Sequence, residues 1–451
     1  MKIIIVGCGK VGRTLAESLN EEGHDIVVVD TNAALVEGIS SSLDFMGVVG
    51  NGASYIVHME AGVEEADLLL AVTTSDELNL LCCLIAKKAG NCHTIARVRN
   101  PIYNTEIGFI REELGLSMII NPEQAAADEI ARLLRFPSAI KADTFAKGRV
   151  ELLRVQLPEN CVLHNRKVME IVSLFLCDVL VCAVERGEEV IIPNGHFVLK
   201  GGDKISFIAS PKKAAEFFKK ILVEYHQIDS AMIVGGSTIA RYLAEKLLST
   251  GFEVKIVERD RKRCEELSEQ LPEAVIIHGD ATEQEVLLEE GIESVKSFVA
   301  LTNFDEENIM LSLFAGDHSK AKRVTKVNRI SFEDVIEKLN LGALVSPKHI
   351  TANSILQYVR AMENASGNNV ETLYRIVGGK AEALAFKIKE HSEVVGVPFE
   401  RLSLKKNLLI CCIIRKNKII TPRGKDMIMV GDQVIVVTTN QGLNDIQDIM
   451  A

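Results

Sequence analysis

The sequence predicts an α/β protein made by tandem duplication, in which a Rossmann-like parallel-sheet domain precedes a small α+β lobe and the pair is then repeated. Three observations carry this. A β-branched run meets a glycine-rich turn at the start of the chain, Met1–Val6 then Gly7-Cys8-Gly9-Lys10-Val11-Gly12, and the pattern returns at Ala231–Val234 then Gly235-Gly236-Ser237-Thr238-Ile239-Ala240. Short strand-like runs alternate with segments of helical period after each turn. Each half then closes on a shorter, strand-rich stretch.

The repeat continues in order along both halves. Asp30 ends the run DIVVVD 23 residues past Gly7, and Glu258 ends EVKIVE 23 residues past Gly235. Asn51-Gly52-Ala53-Ser54 aligns with Gly279-Asp280-Ala281-Thr282, Leu68–Asn79 with Ser297–Asn308, Ile95–Arg99 with Val324–Asn328, and Asn121-Pro122-Glu123 with Ser346-Pro347-Lys348. Helical periodicity covers Val11–Glu22, Glu77–Lys88 and Asn308–Phe314, the alternation that βαβ units require. Two more helices, Glu123–Leu134 and Lys348–Met362, follow a proline tolerated in a first helical turn and lead out of the Rossmann-like domains.

The closing stretches read as strands Leu152–Leu157, Val179–Glu185, Glu189–Ile192 and Lys204–Ile208, copied as Leu408–Arg415, Lys418–Thr421 and Gln433–Thr438. Gly202-Asp203 is echoed by Gly431-Asp432 and Pro193 by Pro422. The expected domains are residues 1–135 and 229–355 for the Rossmann-like copies, and 140–225 and 370–451 for the small lobes.

Composition narrows the function. A 451-residue chain that is 47% hydrophobic and 25% charged folds into several cores, and its net charge of −11 disfavours nucleic acid as well as direct insertion into anionic lipid. No run approaches the roughly 20 apolar residues of a spanning helix, and Met1–Gly7 reads as a strand rather than a targeting segment. The cysteines, including the adjacent pairs Cys82–Cys83 and Cys411–Cys412, form no Cys-x-x-Cys and read as small core residues.

The fingerprint Gly7-x-Gly9-x-x-Gly12 directly follows a strand and opens a helix, the context in which it binds a dinucleotide. Gly7 allows the tight turn, Gly9 the approach of a pyrophosphate and Gly12 close helix–strand packing. Asp30 is placed to accept from the ribose hydroxyls and to repel a 2′-phosphate, which favours NAD(H) over its phosphorylated form. Thr73 and Thr74 end a strand at the ligand-binding edge, where they contact the dinucleotide or simply terminate the strand. Arg97 sets a cation by the phosphates or lies at a solvated strand end, and Lys326 keeps the charge in the second half. Asp76 reads as a helix N-cap, with Asn79 in the first turn beside it or facing the ligand; the pair recurs as Asp305 and Asn308. In the second half, Gly235, Gly236, Ser237, Thr238 and Ile239 with Glu258 form a degraded counterpart, because Ser237 stands where a glycine would admit the pyrophosphate.

Binding is favoured over catalysis. A dehydrogenase needs a substrate domain that brings an acid or base to the nicotinamide, yet His164 and His196 have no equivalents in the second small lobe. No P-loop, His-Glu-x-x-His or paired-cysteine motif supports a phosphate-hydrolysing or metal site. The rival reading is a cytosolic NAD-dependent oxidoreductase of unidentified substrate.

The order of domains, the fingerprint Gly7–Gly12, Asp30, Thr73-Thr74-Ser75-Asp76, Arg97 and the run Thr302–Met310 together resemble the TrkA family, the regulatory subunits of Trk potassium uptake systems, over essentially the whole chain. The resemblance implies two tandem domain pairs that regulate potassium conductance and a non-enzymatic protein that binds NAD(H), or the ATP or ADP bound by related regulators. It further implies a homo-oligomeric ring held peripherally on the inner face of the membrane by an integral-membrane potassium translocating subunit. Gly7, Cys8, Gly9, Lys10, Val11, Gly12, Asp30, Thr73, Thr74 and Arg97 would contact the first nucleotide, with Gly235–Ile239 and Glu258 as second-site counterparts. The chain departs from the family pattern at two places: Gly52 stands where an acidic residue is common, which Asp280 retains in the second half, and Ser237 weakens the second fingerprint.

Overall fold

A computed structural model describes all residues except 44, 101–102, 104–105, 137–138, 146–148, 176–178, 222–227, 329–338, 366–369, 378–379, 390–391, 417, 441 and 444. The expected end of the first small lobe at 225 falls outside the described residues.

The first Rossmann-like unit runs β1 (Lys2–Val6), α1 (Lys10–Glu21), β2 (Asp25–Asp30), α2 (Ala33–Leu43), β3 (Met46–Val49), α3 (Tyr55–Glu60), β4 (Leu68–Ala71), α4 (Asp76–Ala89), β5 (His93–Arg97), α5 (Ile107–Glu113), β6 (Met118–Ile120) and α6 (Pro122–Arg135). Its strands form a parallel sheet of order β3-β2-β1-β4-β5-β6. The strand order reverses between β1 and β4, so a crevice opens beyond their carboxyl ends. Ile3–Val6 and Leu68–Ala71 are fully buried, as expected of strands covered on both faces.

The first small lobe contains β7 (Ala139–Phe145), β8 (Val150–Gln156), α7 (Glu170–Phe175), β9 (Leu180–Arg186), β10 (Glu189–Ile191), β11 (Lys204–Ala209) and α8 (Pro211–Ile221). The second Rossmann-like unit follows as β12 (Ser230–Val234), α9 (Thr238–Leu248), β13 (Glu253–Glu258), α10 (Arg261–Gln270), β14 (Val275–His278), α11 (Gln284–Glu289), β15 (Ser297–Ala300), α12 (Asp305–His318), β16 (Lys322–Lys326), β17 (Ala343–Val345) and α13 (Pro347–Ala365). The chain ends in β18 (Val370–Ile376), β19 (Ala381–Lys387), β20 (Leu408–Arg415), β21 (Lys418–Ile420) and β22 (Gln433–Thr438). The second parallel sheet, β14-β13-β12-β15-β16-β17, repeats the first strand for strand, and each small lobe holds a five-stranded sheet. The strands β7 and β18, which carry the chain from each exit helix into its lobe, lie outside the runs that sequence pattern marked.

The paired glycine–aspartate echoes of the small lobes acquire a physical role. Asp203 accepts both forks of Arg186 at 2.8 Å, and Asp432 accepts from Arg415 at 2.9 and 2.8 Å, while the backbone amides of Lys200 and Met429 complete each carboxylate. The two lobe sheets pack together through Val150, Leu152 and Cys182 against Ala383, Cys411 and Val437. All nine cysteines among the described residues are buried and unbridged.

The exit helices cross between halves. Helix α13, from the second unit, buries Ala352, Ile355, Leu356 and Val359 in the core of the first, beside Leu15 and Leu19 of α1. Helix α6, from the first unit, buries Ala126, Ala127 and Ile130 in a cluster with Ile239, Ala240 and Leu243 of α9. At about 1.5–3 kcal/mol for each large apolar side chain removed from water, this exchange stabilises the pair of units as one body. Arg360 of α13 donates to Glu22 at the end of α1, and Lys246 of α9 pairs with Asp128 of α6.

Candidate functional site

Each parallel sheet presents a glycine loop at its switch point. In the first unit Gly7 has φ +108°, and a Cβ there would meet the Thr73 amide nitrogen at 2.9 Å. A Cβ on Gly12 would sit 1.8 Å from the Gly7 carbonyl oxygen, so Gly7 requires glycine and a side chain at Gly12 would force this loop to shift. A Cβ on Gly9 would meet nothing within 4 Å, and Gly9 precedes α1 with no side chain to cap it. The first-turn amides of α1 therefore face open space with the positive end of the helix dipole behind them. Lys10 is exposed, and Val11 is half-buried beside the core that α13 completes.

Asp30, at the carboxyl end of β2, is fixed by backbone. Its Oδ2 accepts from the Cys8 amide at 2.7 Å and its Oδ1 from the Asn32 amide at 2.9 Å. Two of the roughly four lone-pair positions of a carboxylate are so used, leaving acceptors for hydroxyl donors. The Cys8 side chain points into the core, and burial together with the Asp30 charge pushes its thiol up to about 12.

Second-unit geometry follows the same plan. Gly235 has φ +94°, Glu258 Oε2 accepts from the Gly236 amide at 2.6 Å and Oε1 from the Asp260 amide at 2.8 Å. Ser237 turns its hydroxyl back as the N-cap of α9, accepting from the Ala240 amide at 3.3 Å. Thr238 is half-buried, Ile239 is buried against α6, and Arg263 donates to the Gly236 carbonyl at 2.7 Å. The second helix start is thus closed by its own serine where the first is open.

Thr73 faces inward to a buried amide. Asn79 Oδ1 accepts from the Thr73 amide at 2.8 Å and from its hydroxyl at 2.7 Å, and Asn79 Nδ2 donates to the carbonyls of Thr73 and Arg97. Asn308 repeats all four bonds with Thr302 and Lys326. Asn79 ties the ends of β4 and β5 together rather than facing the ligand, a role that local spacing does not reveal. Thr74 is exposed, and its carbonyl accepts from Arg99.

Two expectations are corrected and one alternative is removed. The N-cap of α4 is Ser75, whose hydroxyl accepts from the Leu78 amide, while Asp76 accepts the amides of Arg99 and Asn100 at 2.9 and 2.8 Å. Arg97 is no solvated strand end: it is largely buried and pairs with Glu123 of α6 at 3.4 Å, burial lowering its pKa and Glu123 opposing that. The loop alignment shifts by one residue, because Asp30 pairs with Val49 and Glu258 with His278, which sets Gly50 against Gly279 and Asn51 against Asp280. Asn51 therefore holds the acidic residue's place, and Gly52 matches Ala281.

Near these sites Lys326 is buried, and burial pulls its ammonium down against the attraction of Asp305; Lys10 and Glu123 of the first unit lie close enough to be felt by it. Tyr242 of α9 donates to the Arg99 carbonyl at 3.1 Å and accepts from Asn121 at 3.2 Å. The rim of the first site thus abuts the second unit.

Known proteins share this arrangement. The TrkA-N domain model matches residues 3–122 and 231–347, and the TrkA-C domain model residues 152–222 and 383–451. The Trk system potassium uptake protein TrkA of Halomonas elongata is 34% identical over 99% of this chain and 98% of its own. The chain belongs to the TrkA family. A further relative, the Trk system potassium uptake protein TrkA homolog of Archaeoglobus fulgidus, is 32% identical with both chains covered throughout. Among solved structures, the GsuK channel aligns with TM-score 0.66 at 18% identity, over 98% of this chain and 77% of that one, and its NAD-bound form with 0.63. These likenesses establish the shared fold of the tandem TrkA-N and TrkA-C units. Among the described residues no helix is long and apolar enough to cross a membrane.

Proposed function

We propose that this protein is a nucleotide-sensing regulatory subunit of a Trk-type potassium uptake system, acting through an integral-membrane translocating partner. The observation that carries this reading is the exchange of exit helices. Helix α1, which opens the first glycine loop, rests on α13 of the second unit, and α9, which opens the second loop, rests on α6 of the first. A ligand that draws either loop toward itself bears directly on the contact between units, and a ligand shifts such an equilibrium by its difference in affinity for the two arrangements.

In the first site the amides following Gly9, with Lys10, take the phosphates, Asp30 takes the ribose hydroxyls through its free lone pairs, and Gly7, Cys8, Val11 and Gly12 shape the loop. Thr73 and Thr74 border the ligand, and Arg97 contributes positive field from its pair with Glu123. NAD(H), ADP and ATP share these groups. The second site offers Gly235–Ile239 and Glu258 with one helix amide already committed to Ser237. The chain acts as a non-enzymatic ring subunit, attached peripherally to the inner face of the cell membrane by its partner; the named TrkA relatives and the NAD-bound GsuK structure support this reading.

Calorimetric titration of NAD, NADH, ADP and ATP into the wild type, Asp30→Ala and Glu258→Ala tests it, followed by potassium flux with the membrane partner reconstituted. Expected is a loss of at least about tenfold in affinity in Asp30→Ala, the cost of removing a charged hydrogen-bond acceptor. Unchanged affinities in both variants, or substrate-dependent reduction of NAD by the wild type, would overturn it.

A further inference from the structure

We infer that His58 is a positioning residue of the first nucleotide site, bracing from beneath a loop that its second-unit counterpart braces for itself. The inference rests on the nucleotide reading of that site. The loop 51–54 follows β3 and borders Asp30, whose carbonyl accepts from the Gly50 amide at 2.9 Å. It also crosses the end of β1, since a Cβ on Gly52 would strike Val6 Cγ1 at 2.4 Å and Cys82 Sγ at 2.9 Å. A base joined to the ribose held by Asp30 lies against this loop.

In the second unit the loop is locked internally. Asp280 Oδ1 accepts from both the amide and the hydroxyl of Thr282, at 2.9 and 2.7 Å. In the first unit Asn51 Oδ1 accepts only the Ala53 amide at 2.9 Å, because alanine has no hydroxyl to give. The missing bond is replaced from α3: His58 Nε2 donates to the Gly52 carbonyl at 2.6 Å and turns that peptide inward.

Nothing in the fold demands a histidine there. The equivalent residue on α11 is Leu287, fully buried, and His58 is 2% exposed with Nδ1 lacking a partner. Burial lowers the His58 pKa, which keeps the ring neutral with its proton on Nε2. A buried polar ring with one orphaned nitrogen, in a place that leucine fills in the sister unit, points to the loop it holds rather than to packing.

The test uses the full chain in a Glu258→Ala background, so that titration with ADP or NAD reads the first site. His58→Leu is expected to keep the thermal unfolding midpoint while weakening affinity about three- to tenfold, the worth of one hydrogen bond. His58→Gln, whose amide can donate to Gly52, is expected to restore it, as is His58→Leu combined with Asn51→Asp and Ala53→Thr, which transplants the second unit's lock. Should His58→Leu fail to fold, His58→Met against His58→Gln makes the same comparison. If the apolar variant binds as the parent does while Asp30→Ala does not, the bracing role falls and the nucleotide reading stands. If Asp30→Ala also binds normally, the nucleotide reading itself falls. An affinity loss that neither glutamine nor the transplanted lock repairs would assign His58 to packing alone.

Discussion

The two Rossmann-like units share a skeleton and differ at the rim. Both pin a strand-end carboxylate with a loop amide, Asp30 on Cys8 and Glu258 on Gly236, and both tie β4-type to β5-type strands with a buried asparagine. The first leaves its helix start uncapped, whereas the second spends Ser237 on the cap and lays Arg263 over the loop carbonyl. Duplication has preserved what the fold needs to form the crevice and has varied what would meet a ligand. The halves therefore act as controls for each other.

The largest expected effect tests the shared skeleton. Asn79→Ala and Asn308→Ala each deprive one strand-end amide and two strand-end carbonyls of their side-chain partner, and each should cost roughly 3 kcal/mol in urea-induced unfolding. Similar losses confirm a common clamp; a loss in one half alone would break the equivalence.

Next comes Gly12→Ala. Its Cβ would collide with the Gly7 carbonyl, although the second unit carries Ala240 at that place. A destabilisation of about 1–3 kcal/mol, measured the same way, is expected from overpacking. An unaffected protein would show that the first loop relaxes as readily as the second.

The third prediction separates the units by pH. Lys322, at the start of β16, reaches the Ala139 carbonyl of the first small lobe, and burial lowers its pKa from 10.5 to about 8; the matching residue of the first unit, His93, is exposed. Below about 8 both folded and unfolded chains are protonated there. Between about 8 and 10.5 the unfolded chain holds the extra proton, so the Lys322 contribution to stability rises with pH through that window. Lys322→Met should flatten this rise in thermal melts recorded from pH 7.5 to 10, and an identical pH profile in wild type and variant would refute it.

Smallest is Ser237→Gly, which removes a cap bond at a cost of a few tenths of a kcal/mol in thermal unfolding. The same change frees the Ala240 amide and clears the loop, so second-site nucleotide affinity should increase. Weaker binding after this substitution would mean that the serine hydroxyl serves the ligand.

Legibility followed the range of the forces involved. Gly7 and Gly235 are readable because a left-handed backbone at a strand end demands glycine locally, and Asp30 and Glu258 because they close strands at a fixed distance from it. Asp76 was misread as a cap because its true partners, the amides of Arg99 and Asn100, come from a loop over twenty residues on. At Arg97 the solvated alternative fell for the same reason, its partner Glu123 lying on a helix beyond the next strand. The place of Asp280 is hidden for a related reason: Ala53-Ser54 resembles Ala281-Thr282 in residue type, whereas the register of β3 and β14 sets Asn51 one place earlier, against Asp280.

By itself the sequence determined the duplication, the two parallel sheets, the glycine turns and the carboxylates beside them, since each depends on periodicity or on a backbone conformation set within a few residues. Tertiary structure alone decided which core each exit helix completes. The apolar stripe of α6 would look the same whether it covered its own sheet or its neighbour's, because hydrophobic burial is non-directional and the choice lies in the shapes that meet. The Asn79 clamp and the His58 brace were likewise settled by folding, through directional bonds from buried donors to carbonyls that only the closed fold brings within reach.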